Sequence, residues 1–117
     1  MTREIKVGTK NITFTANGAT PVFFKEFFHK DILKEMASAE DYTEIASEYT
    51  PQLAFIMAKQ ADKADMFSLK AENYIEFLEL FDALDLTQAG KEIFSVFLAN
   101  TKATEEAKKN KSDQVKE

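Results

Sequence analysis

Polar and apolar residues alternate along 3–7 (Arg-Glu-Ile-Lys-Val) and again along 12–16 (Ile-Thr-Phe-Thr-Ala). Side chains on a strand point to opposite faces in turn. Ile5 and Val7 therefore share one side of a first strand, and Ile12, Phe14 and Ala16 one side of a second. Gly8-Thr9-Lys10-Asn11 between them suits a hairpin turn in which Gly8 or Asn11 takes positive φ. A lone hairpin is only marginally stable in water, so it is expected to pack on a helix or pair its edge with another strand.

After the Asn17-Gly18 turn signal the period changes. Thr20-Pro21 reads as a helix start, with Thr20 as a cap and Pro21 where a missing N–H costs nothing. Apolar residues at 24, 27, 28 and 32 mark one helical face, widened by Phe23 and Leu33, and the helix is expected to run to Met36. Residues 37–43 form a connector, with Asp41 placed to cap a short helix holding Tyr42, Ile45 and Tyr49. Thr50-Pro51 repeats the Thr-Pro device, so a break or kink is expected there. Leu53 to Ala58 is apolar on every side, which predicts a central helix buried all round. After a connector at 62–68, Ser68 is expected to cap a helix over 69–84. Its stripe is Tyr74, Ile75, Phe77, Leu78, Phe81 and Leu84, and its solvated acidic face is Glu72, Glu76, Glu79 and Asp82. Thr87 then caps a last helix over 88–100, with Gly90 near its start. The fold expected is mainly α: an N-terminal β-hairpin and four to five helices in one domain over 1–100, then a charged, disordered tail over 101–117.

The 117 residues include three Gly and two Pro, few breakers for an all-β chain. Eleven Phe are many for this length. Most are expected in the core, and the remainder on a partner-binding surface. The net charge of −5 argues against nucleic acid, whose binders usually carry a basic face. No apolar run approaches the roughly 20 residues that span a bilayer, and no signal-peptide core opens the chain, so a cytosolic protein is expected.

Chemistry-bearing patterns are sparse. With no Cys there is no disulfide, thiolate zinc site or thiol nucleophile. The one His, His29, lies among lysines and phenylalanines with no accompanying catalytic motif. The carboxylate pairs Glu40/Asp41 and Glu105/Glu106 read as solvated faces. Glu79, Asp82 and Asp85 lack the spacing of a calcium loop. No catalytic, cofactor-binding or metal-binding residue is expected, and an enzyme is the weakest reading.

Three pieces of the chain, in order, resemble the tail assembly chaperone family of long-tailed, siphovirus-type bacteriophages of Gram-positive bacteria. Thr20-Pro21 followed by Phe24, Lys25, Phe28, Lys30 and Asp31-Ile32-Leu33 is similar to that family's Thr-Pro, aromatic-basic pair and Phe-Gly-Lys-Asp-Leu-Leu. Residues 53–61 are similar to its Ala-Tyr-x-Met-Ala-Lys helix, and residues 74–82 to its Phe-Leu-x-x-Phe-Asp segment. The likeness spans about residues 3–100. The chain departs at His29, where Gly is usual and where His is expected to keep the helix going. Lys25 stands for the usual Arg, and Phe24 and Phe55 for the usual Tyr.

The resemblance implies a non-catalytic factor, acting in the host cytoplasm and missing from the mature virion. Such proteins bind the aggregation-prone tape measure protein and assist polymerisation of the tail-tube protein. In many such phages a ribosomal frameshift adds a longer product. The candidate partner-binding residues on this reading are Phe23, Phe24, Lys25, Phe27, Phe28, Asp31, Phe55, Phe77 and Phe81. Self-association is compatible with it, whereas nucleic acid, membrane and cofactors are not expected. A small structural tail or head-joining protein and a regulatory binding module are the alternatives.

Overall fold

The computed structural model describes residues 1–99; the expected charged tail, 101–117, lies outside the described residues. Strands β1 (Thr2–Val7) and β2 (Lys10–Thr15) pair antiparallel with Val7 opposite Lys10 and Thr2 opposite Thr15. The turn is therefore two residues, Gly8-Thr9, shorter than the four expected. Gly8 takes φ 63 at the first central position, the arrangement of a two-residue turn with Gly first. Asn11 belongs to the ladder opposite Lys6 instead of the turn. Ile5, Val7, Phe14 and Ala16 are buried, as the alternation implies.

The stretch read as one helix to Met36 is two, α1 (Thr20–Phe28) and α2 (Ile32–Ser38). His29 stops α1 by adopting φ 59, with its N–H bonded to the Lys25 carbonyl at 2.8 Å. Asp31 then starts α2, its carboxylate accepting from the Lys34 N–H at 3.1 Å. His29 thus breaks the helix instead of continuing it, in the conformation that Gly adopts without strain. Thr20 is not a cap either. Ala19 holds that position, and Thr20 is buried inside the first turn.

Helix α3 (Thr43–Ala61) runs continuously through Pro51, so of the two outcomes expected there, a new helix or one longer helix, the chain forms the longer one. Proline removes one helical N–H, while Ile45 and Tyr49 before it and Leu53 to Ala58 after it are all buried, and that burial outweighs one lost bond. Asp41 accepts from the Thr43 N–H at 2.8 Å and leads the chain into this helix. Helix α3 is the hub of the molecule, packing on β2, α1 and the two helices that follow.

Helix α4 (Ala71–Leu78) is shorter than the 69–84 expected. Ser68 bonds back to Asp65 at 2.8 Å and does not cap; Asn73 closes the helix start by accepting from the Lys70 N–H at 2.8 Å. After Leu78 the backbone tightens into turns, with Leu80 and Phe81 N–H groups bonded three residues back. A single turn, α5 (Asp85–Gln88), precedes the last helix, α6 (residues 90–99). Six helices thus follow the hairpin among the described residues. The count exceeds four to five because His29 divides one helix and Ala89 separates α5 from α6. No helix among the described residues is long and apolar enough to cross a membrane.

Candidate partner-binding groove

The aromatic residues singled out in the sequence do come together, as interior packing. Phe55 on α3 has the rings of Phe27, Tyr74, Phe77 and Phe28 around it, at centroid distances of 5.1, 5.2, 5.7 and 6.3 Å. Phe81 extends the cluster through Phe77 at 5.2 Å, and Phe24 through Phe28 at 5.1 Å. Phe24 and Phe55 have no exposed surface and Phe77 is 5% exposed, so these three offer nothing to a partner while the core is closed. Phe23, Phe27, Phe28 and Phe81 are partly buried; Lys25 and Asp31 are exposed, the latter engaged as the α2 cap. An exposed Phe, Phe67, meets Phe23 edge-on at 5.5 Å; it lies in a connector, where periodicity gives no signal. Burial raises the Tyr74 phenol above its ordinary pKa of 10.0.

A concave site lies elsewhere, between the first half of α3 and the α5–α6 arm. It is a groove of about 460 Å³. From α3 it takes Thr43, Ala46, Ser47, Thr50 and Pro51, one face at helical spacing; from the arm it takes Thr87, Gly90, Lys91, Phe94 and Leu98. Small residues line most of the α3 wall. Phe94 is 3% exposed and belongs to the floor, while Tyr42, 40% exposed, stands at the rim with its ring 6.3 Å from Phe94. Thr50 turns its hydroxyl into its own helix, donating to the Ala46 carbonyl. A Cβ on Gly90 would lie 3.6 Å from Thr50 Cγ2, so α6 approaches α3 closely there. Pro51 has no N–H for the Ser47 carbonyl, which leaves that acceptor on the groove wall without its helical donor. Lys91 is the charged residue of the lining.

None of the nine partner-binding candidates lines this groove. The signal for it was present but of a different kind. Positions 43, 46, 47, 50 and 51 repeat at helical spacing like a core stripe, yet carry Thr, Ala, Ser, Thr and Pro. Such a face cannot fill the space beside a neighbouring helix. His29 is exposed in the α1–α2 break, and among the described residues no group of three or more His, Asp or Glu is arranged to hold a metal. The volume falls in the range of clefts that take a small molecule or a few anchoring side chains. Comparison of the chain with protein-family profiles, curated proteins and solved structures found no match in any of them.

Proposed function

We propose that this chain is a non-catalytic phage tail assembly chaperone that holds helical segments of the tape measure protein in the α3–α6 groove until tail-tube protein polymerises around them. The observation that carries the reading is the groove itself: a mainly apolar channel walled by small and hydroxyl-bearing residues between α3 and the α5–α6 arm, a shape that accepts the apolar face of an amphipathic helix. The ordered resemblance over residues 3–100 names the client. A surplus of acidic charge keeps a complex with an aggregation-prone partner dispersed. On this reading the protein acts in the host cytoplasm and leaves before the virion matures.

Co-expression with the tape measure protein is the test. Ala46→Trp fills the groove, and Lys91→Glu reverses its charge at an exposed position that leaves packing untouched. The wild-type chain is expected to carry the client into the soluble fraction, and both variants to lose that effect while keeping their helical circular dichroism. A client equally insoluble with and without the chain overturns the proposal. Mass spectrometry of purified particles separates it from a structural virion role, since a chaperone is missing from them.

A further inference from the structure

We infer that two copies of this chain associate through the outer edge of β1, joining their hairpins into one four-stranded antiparallel sheet. The argument starts from the two-residue turn. Val7 and Lys10 flank it and form a hydrogen-bonded pair, so Ile5–Ile12 and Arg3–Phe14 do so too, in phase with the 2.8 Å bond from the Ala16 N–H to the Met1 carbonyl. The backbone N–H and C=O groups of Thr2, Glu4 and Lys6 therefore point away from β2. Among the described residues no backbone bond satisfies them, and all three residues are exposed. Helix α3 packs on β2, and α5 meets β1 at its turn end, where the Asp85 carboxylate lies beside Gly8. No Pro or bulge blunts β1.

Charge chooses the occupant and the register. An antiparallel pair of identical strands is related by a two-fold axis, so each contact occurs twice. With the axis at Ile5, Glu4 lies opposite the partner's Lys6, and Lys6 opposite the partner's Glu4. Both are residues whose backbone groups face outward, so hydrogen bonds and unlike charges coincide. The opposite face then carries Ile5 beside the partner's Ile5, continuing the apolar side of the sheet. Moving the axis to Glu4 sets Glu4 against the partner's Glu4, a like-charge contact that destabilises cross-strand pairing. Slipping by a single residue brings inward-bonding residues to the edge and turns the apolar side outward. The charges that would deter an unrelated strand thus match a second copy.

The inference is independent of the groove. Sedimentation equilibrium of the full chain, up to millimolar concentration, tests it. The wild type is expected to form a dimer, with slowed amide exchange at Thr2, Glu4 and Lys6 on association. Lys6→Glu and Glu4→Lys each place like charges across the axis and weaken dimerisation by at least about tenfold. The double exchange Glu4→Lys/Lys6→Glu restores it. These exposed positions leave the hairpin's buried face unchanged, and circular dichroism confirms that each variant is folded. A wild type that stays monomeric overturns the inference, as does a dimer indifferent to both single reversals.

Discussion

The Thr20 hydroxyl donates to the Gln60 side-chain carbonyl at 2.7 Å, tying the start of α1 to the end of α3 across 40 positions of chain. The bond belongs to a closed ring. Thr20 Oγ1 also accepts from the Asn17 N–H at 2.9 Å, and Gln60 Nε2 donates to Asn17 Oδ1 at 3.1 Å. Asn17 Oδ1 accepts in addition from the Ala19 N–H at 2.9 Å. The corner between hairpin and helices is fastened by side chains of three segments. Thr20→Val keeps the shape and removes the hydroxyl, and should lower stability by about 1–3 kcal/mol in urea denaturation. A double-mutant cycle with Gln60→Leu should show coupling of about 0.5–3 kcal/mol; strict additivity would mean the ring contributes no joint stabilisation.

Two helix ends are closed by residues other than glycine in left-handed conformation, His29 at φ 59 and Lys63 at φ 57. That conformation costs an L-residue about 1–2 kcal/mol. His29→Gly should raise the thermal midpoint through a gain of about 1 kcal/mol, offset in part by the freer unfolded chain. Gly8→Ala should act in the opposite sense. Its φ of 63 disfavours a side chain, and the new Cβ would collide with the Asp85 carboxylate, which accepts from the Asp82 N–H at 2.9 Å.

Burial separates phenylalanines that sequence alone treats alike. Phe55→Ala removes the centre of the aromatic cluster and should cost about 3–5 kcal/mol. Phe67 is 69% exposed and touches Phe23, so Phe67→Ala should cost less than about 1.5 kcal/mol. Chemical denaturation of the two variants side by side checks the contrast.

Gly90 opens α6 without positive φ, and a methyl there meets Thr50 at ordinary van der Waals distance. Gly90→Ala should therefore stabilise the protein by about 0.5–1 kcal/mol, read as a higher denaturation midpoint.

Tyr74 sets an alkaline limit. Burial holds its phenol neutral above the ordinary pKa of 10.0. In the unfolded chain it ionises near 10, so the folded state binds this proton more tightly. The contribution is intact below pH 10 and declines as pH rises through the folded-state value. Tyr74→Phe should flatten the fall in stability above pH 10; an unchanged profile would assign the fall to other groups.

Local periodicity was enough to find the hairpin, the buried run from Leu53 to Ala58 and a mainly helical remainder, because burial of one face imposes a period of two or 3.6 on the chain itself. It also placed Phe24, Phe55 and Phe77 on inward stripes. Periodicity could not show which inward-facing rings would keep some surface, since Phe27, Phe28 and Phe81 differ from them only in what packs alongside.

Tertiary packing decided the rest. A left-handed His29 and a cap at Asp31 differ from a continuing helix by an energy too small to read from a few residues. Helix α3 continues through Pro51 because burial on both sides of it exceeds the loss of one hydrogen bond. The groove exists because two helices far apart in sequence meet with Thr, Ala, Ser and Pro on one wall and Gly90 on the other. A void between surfaces has no residue of its own, so it is set by how those surfaces come together in three dimensions.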